Sequence, residues 1–205
     1  VNQAKKSVQS RLKIDGLAGP SELMVLADKN QNIQWITLDA LAQAEHDPLA
    51  CSIIVSDDLD WLKSMEDYLA NLNVSQKAIA EKQIELVLAC NPEEIKQISE
   101  NYAPEHLMLC HDAIKPDDLF NYGSLFVGAK SAVALGDYIS GPNHTLPTLG
   151  YARQSGGLSV LNFVKITTTQ RIFESKNTRL LESAMCLAKA EGLTQHYLSL
   201  SARIQ

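Results

Sequence analysis

Five short apolar runs alternate with helix-patterned segments along this chain, and that alternation limits the fold more than any other feature. The runs are ELMVLAD (22–28), CSIIVSDD (51–58), IELVLAC (84–90), HLMLC (106–110) and GSLFVG (123–128). Each is apolar at successive positions rather than at every second one, so a strand built from it buries both faces. Between them, NIQWITLDALAQAEHD (32–47) and LDWLKSMEDYLANL (59–72) carry helical spacing. NPEEIKQISENYA adds a third helix, with Asn91 placed to cap it, Pro92 at its first position and Glu94 placed to close a capping box. A shorter helix is expected near Pro116. The fold class that follows is α/β, a mostly parallel sheet with helices on both faces.

From about residue 130 the pattern changes. SAVALGDYISGPNHTLPTLGYARQSGGLS is rich in glycine and proline and lacks clear periodicity, and loops of that length usually carry function or are disordered. Two helices are expected to end the chain: ESKNTRLLESAMCLAKAEG, stopped by Gly192, and LTQHYLSLSARIQ, which Thr194 is placed to cap. The first dozen residues read as the tail of a helix. The expected divisions are residues 1–14, the α/β domain over 15–158 and a helical segment over 159–205.

Lys plus Arg number 18 against 24 Asp plus Glu, a formal charge of -6, so no general affinity for nucleic acid or for an anionic membrane surface is expected. No apolar run approaches the roughly 20 residues of a membrane span. Cys51, Cys90, Cys110 and Cys186 show no CxxC spacing and read as buried thiols of a reducing, cytoplasmic compartment.

The polar residues that could carry chemistry are scattered. In a parallel α/β sheet the highest expectation falls just beyond the carboxyl ends of strands, and not all of them lie there. Gln43 and His46 stand at i and i+3 on a helix, where both could approach one ion; a helix terminus with a solvated glutamine is the plainer alternative. Glu105 and His106 in NYAPEHL are adjacent, but Pro104 makes the entry irregular, so a carboxylate and an imidazole could face one pocket as an acid/base pair. The alternative is an exposed dipeptide. Asp137 and His144 lie in the glycine-rich segment, Glu191 and His196 flank a helix break, and His111 reads as an ordinary loop residue. No GxGxxG, P-loop or GxSxG motif is present, and no cysteine has an activating setting. The residues alone therefore support an α/β domain with a possible His/Asp metal site.

In order, LAGPSELMVLAD, LAQAEHDP, NYAPEHL, GSLFVG, LGDYISGPNHTLPT, SGGLSV and EGLTQH resemble the C-terminal half of histidinol dehydrogenase, over essentially the whole chain. The resemblance implies an incomplete Rossmann-like domain with a C-terminal helical extension, and a zinc-dependent enzyme that oxidises L-histidinol to L-histidine in two NAD-dependent steps. It implies zinc ligation by Gln43, His46, Asp137 and His196, with substrate completing the metal's shell. Glu105 and His106 match the family's acid/base pair, and Ser21, His144 and Glu191 match substrate-contacting positions; His106 and the four metal positions also face substrate. The family's C-terminal segment reaches into a neighbouring subunit, so a homodimer with shared sites is implied. The family's chain is about twice as long, and its N-terminal half holds most NAD contacts. Three alternatives follow: a fragment of the longer enzyme, half of a split enzyme whose other half is a separate chain, or a truncated homologue that binds zinc or a histidinol-like ligand without hydride transfer.

Overall fold

The computed structural model describes residues 1–73, 78–79, 81–172 and 178–204. They form two compact units, 1–164 and 165–205. In the first unit, five strands, β1 (Glu22–Ala27), β2 (Cys51–Ser56), β3 (Ile84–Leu88), β4 (His106–Cys110) and β5 (Ser124–Val127), make one sheet in the order β3-β2-β1-β4-β5. Every pairing is parallel, with Glu22 opposite Cys51 and Leu23 opposite His106. The strand order reverses between β1 and β4.

The continuous apolar runs do what their pattern predicts. Every residue of β1 and β4 is buried, and alternate side chains feed two cores. One face packs Leu23, Val25, Ile54, Met108 and Phe126 against Ile36 and Ala40 of helix α2 (Ile33–Ala44) and Trp61, Leu62 and Met65 of α3 (Leu59–Asn71). The opposite face packs Met24, Leu26, Ile53, Val55, Leu107 and Leu109 against Ile95 of α4 (Pro92–Tyr102). Burial on both faces is what keeps a parallel sheet dry.

Helix starts follow local chemistry. Asn32, Asp58 and Asn91 each accept a bond from the backbone N–H three residues on, the ordinary N-cap. Glu94 does not close a capping box; its carboxylate accepts from the N–H of Cys90 at 2.5 Å instead of from the cap residue. The segment before β1 holds α1 (Asn2–Val8), Pro116–Asp118 is a 3-10 turn, the glycine-rich stretch contains only α5 (Ala134–Tyr138) and a 3-10 turn at Tyr151–Arg153, and a further 3-10 turn at Val160–Phe163 follows it.

The second unit consists of α6 (Thr178–Ala190) and α7 (Thr194–Ser201), packed against each other. Gly192 joins them with φ 72°, the left-handed conformation a glycine adopts without strain. Thr194 is the first residue of α7 rather than its cap; Leu193 holds the cap position without a side-chain bond. The expected start of α6 near residue 174 lies outside the described residues.

Two expectations need correction. Cys110 is buried and Cys51 half-buried, but Cys90 and Cys186 are exposed: Cys90 follows β3, a sheet edge with only one neighbouring strand, and Cys186 lies on an outward part of α6. His111 is no ordinary loop residue either. It is buried directly after β4, with its Nε2 3.3 Å from the Asp57 carboxylate.

Candidate active site

Apart from His144, the candidate residues of the first unit gather at the amino ends of the strands, opposite to where the parallel-sheet rule directs attention. The order β3-β2-β1-β4-β5 puts the openings of β1 and β4 side by side, and there Glu22, Glu105 and His106 meet. Ala103, in the left-handed conformation, ends α4, and Pro104 keeps Glu105 outside the strand. The Glu105 carboxylate can therefore turn across the amino ends of β4 and β1, where it accepts the N–H of Glu22 at 2.9 Å.

His106, the first residue of β4, is 4% exposed. Its Nδ1 lies 3.2 Å from the Glu22 carbonyl oxygen and 3.4 Å from Glu105 Oε2. Both neighbours are acceptors, so Nδ1 carries the proton in the neutral ring and Nε2 is left as the free base. The ring also leans on Phe126, centroids 5.9 Å apart. Burial pulls the pKa of His106 down, but the hydrogen bond and charge of Glu105, the Glu22 carbonyl and the field of Asp137 outweigh it and leave the pKa above its ordinary value. The adjacent Glu-His dipeptide is a buried pair, not surface decoration.

The second group lies where α2 ends. Gln43 occupies the last turn of α2, and His46 lies just past its C-terminus. Gln83 secures this end, its Nε2 2.9–3.0 Å from the carbonyls of Ala44, Asp47 and Ala50. His46 Nε2 is 3.8 Å from a carboxylate oxygen of Asp137 on α5, and the two line a cavity of about 50 Å³ with Gln43 and Asp39. Gln43 is 3% exposed and its amide nitrogen has no hydrogen-bond partner. A buried amide without a partner costs free energy that a polar ligand or cation would remove.

Gln43, His46 and Asp137 thus surround one cavity, and Asp137 also acts on His106 through its charge. An imidazole, a carboxylate and an amide oxygen are a chemically reasonable partial set for zinc. Among the described residues, no three His, Cys, Asp or Glu side chains converge as a metal-binding group. Ser21, partly buried, directly precedes Glu22, while His144 is exposed on the glycine-rich segment. Glu191 and His196 are exposed on the second unit.

Sequence reasoning passed over Glu22 and Asp39. Glu22 left a signal: a carboxylate opening a strand that is otherwise apolar must be buried with partners. Burial pushes its pKa up, against the bond from the N–H of Leu149. Burial likewise raises Asp39.

The carboxyl ends of β1 and β4, the usual place for a dinucleotide, do not suit one here. The β1–α2 connection has no glycine, and Asp28 fills it, accepting from the N–H of Asn30 (2.8 Å), Gln31 Nε2 (3.1 Å) and the N–H of Asp112 (2.9 Å). Burial disfavours its charge, but these donors hold the carboxyl below its ordinary range. A fixed anion at the start of α2 repels a pyrophosphate instead of cradling it.

Comparison with known proteins agrees with this architecture. The family model described as histidinol dehydrogenase matches residues 1–204. The histidinol dehydrogenase of Methanothermobacter thermautotrophicus is 38% identical, with all of this chain aligned to 50% of that protein. That of Zymomonas mobilis is 39% identical, with all of this chain aligned to 49%. A crystal structure of histidinol dehydrogenase from Elizabethkingia anophelis superposes with a TM-score of 0.84 at 35% identity, covering 100% of this chain and 49% of that one. The chain spans about half the length of the curated relatives it matches. On these grounds the chain belongs to the histidinol dehydrogenase family.

Proposed function

We propose that this chain supplies the substrate-binding and acid/base half of an enzyme that oxidises L-histidinol to L-histidine, the closing steps of histidine biosynthesis. The observation that carries the reading is the buried Glu105–His106 pair, held by Glu22 with the base nitrogen of the imidazole left free. His106 Nε2 takes the proton of the substrate alcohol as hydride departs, and the neighbouring carboxylate favours the imidazolium that results. Glu105, 3.4 Å from the ring, then activates the water that hydrates the aldehyde-level intermediate.

Gln43, His46 and Asp137, with His196 of a neighbouring subunit, would hold zinc, whose contribution is to orient the imidazole and amine of histidinol. Ser21, His144 and Glu191 would contact substrate, Glu191 pairing with the amine. NAD as hydride acceptor rests on family membership alone. Asp28 argues that its phosphates are held outside this sheet's switch point, for instance by the sequence that makes the relatives longer. A homodimer with shared sites and a cytoplasmic location complete the proposal; no helix among the described residues is long and apolar enough to cross a membrane.

Asp28 also favours a second reading, in which the chain binds zinc or a histidinol-like ligand without transferring hydride. Calorimetric titration of L-histidinol into the zinc-loaded chain tests the part that both readings share. Saturable binding that weakens at least tenfold in His46→Ala is expected; equal binding by that variant removes the metal site from the proposal.

A further inference from the structure

Glu22 has no chemical role in the proposal above, yet its main chain holds both members of the acid/base pair and its carboxylate reaches a third segment. Its N–H donates to Glu105 Oε2 at 2.9 Å, and its carbonyl oxygen faces His106 Nδ1 at 3.2 Å. Its carboxylate oxygen Oε1 accepts the N–H of Leu149 at 2.9 Å. Leu149 is unusual in its own right. It has φ 55° and is followed by Gly150 at φ 74°, with the N–H of Tyr151 bonded to the carbonyl of Thr148 at 3.0 Å. That is a tight turn with two successive left-handed residues, a conformation a leucine adopts only when its surroundings hold it there. Leu149 is 62% exposed, so its side-chain packing is a weak restraint, and the Glu22 carboxylate is the restraint at hand.

The same turn is gripped from the chain just before Glu22. The Thr148 hydroxyl accepts the N–H of Gly19, and a side chain at Gly19 would meet Leu149 at 2.8 Å. Residues 19–22 and 148–150 are thus locked together beside the acid/base pair. Glu22 Oε2 remains buried without a partner, a cost tolerated for the contacts its other atoms make.

We infer that Glu22 is a positioning residue: its main chain fixes the tautomer of His106 and the direction of Glu105, while its carboxylate pins the strained Thr148–Leu149 turn, and with it the segment that carries His144, to the same strand end. This deepens the proposed function and rests on the acid/base role given there to Glu105 and His106. Its test does not need turnover, so the two can fail separately.

The experiment is nuclear magnetic resonance of the 205-residue chain, labelled at the histidine ring nitrogens and uniformly on the backbone, for the parent, Glu22→Gln and Glu22→Ala. At a pH where the ring is neutral, His106 should show the Nδ1–H tautomer in the parent. The Leu149 amide should exchange with solvent at least about tenfold faster in Glu22→Ala. It should stay protected in Glu22→Gln, whose amide oxygen still accepts the bond. Rescue by glutamine separates positioning from a general loss of fold, which backbone spectra report independently. An Nε2–H tautomer in the parent, or unchanged Leu149 exchange in Glu22→Ala, overturns the inference.

Discussion

Glu105 Oε2 stands 3.4 Å from His106 Nδ1, although consecutive side chains leave opposite sides of a regular strand. They meet because β4 begins at His106, so the side chain of Glu105, one residue earlier, can turn across the amino ends of β4 and β1. Glu105→Gln keeps an acceptor for the Glu22 N–H but removes the charge. Histidinol oxidation should then fall by about 10²-fold or more with little change in melting temperature, as steady-state rates and thermal unfolding of the variant would show.

Stability should fall as the pH rises from mildly acidic to neutral. His106 is held above its ordinary pKa, so its contribution is complete below about 6.5 and is lost as the pH climbs through the folded-state value. Glu22, raised chiefly by burial, has the same sign from its ordinary value of 4.5 upward, because ionising it in place is unfavourable. Asp28 acts oppositely and only at low pH, its contribution being lost as the pH drops below its ordinary 3.8. Urea unfolding of Glu22→Gln between pH 4 and 8 should give a flatter profile than the parent; a parallel profile would mean that Glu22 does not titrate there.

Gly123 is fixed by the path of the chain beside the acid/base pair. Its N–H bonds the Pro104 carbonyl at 2.9 Å, and a Cβ there would meet the Glu105 carbonyl oxygen at 2.5 Å. Because the obstacle is backbone, Gly123→Ala must displace Glu105 itself. A loss on the order of 1–3 kcal/mol is expected in denaturant titration, with a loss of oxidation larger than the stability change accounts for.

Much of this molecule was legible before any coordinates. The five strands, their parallel arrangement and the cap at Asn91 follow from local chemistry that the sequence displays directly. What was hidden depends on which strand ends are neighbours. Glu105 and His106 could be named as a pair, but not Glu22, which reaches them only because the chain returns from α4 to set β4 beside β1. His111 passed for a loop residue for the same reason: its partner Asp57 follows β2, two strands away. The exposure of Cys90 turns on β3 being an edge, which no local pattern records.

The thiols offer a check on the fold itself. Cys110 is buried and its pKa is pushed up to about 12, mostly by burial, whereas Cys90 and Cys186 are exposed. A disulfide reagent should modify Cys90 and Cys186 in the native protein and reach Cys110 only on unfolding. Mass spectrometry of the native reaction would settle which sites react, and early modification of Cys110 would contradict the core described above.

The central claim is that His106 is the base in oxidation of histidinol. The most direct measurement is NADH formation from L-histidinol, NAD and zinc by the chain mixed with a polypeptide covering the other half of a relative's length. The account predicts NADH from the mixture with the parent chain, none from the parent chain by itself, and a loss of about 10²-fold or more when His106→Asn replaces the parent in the mixture. Equal rates from parent and His106→Asn would contradict it.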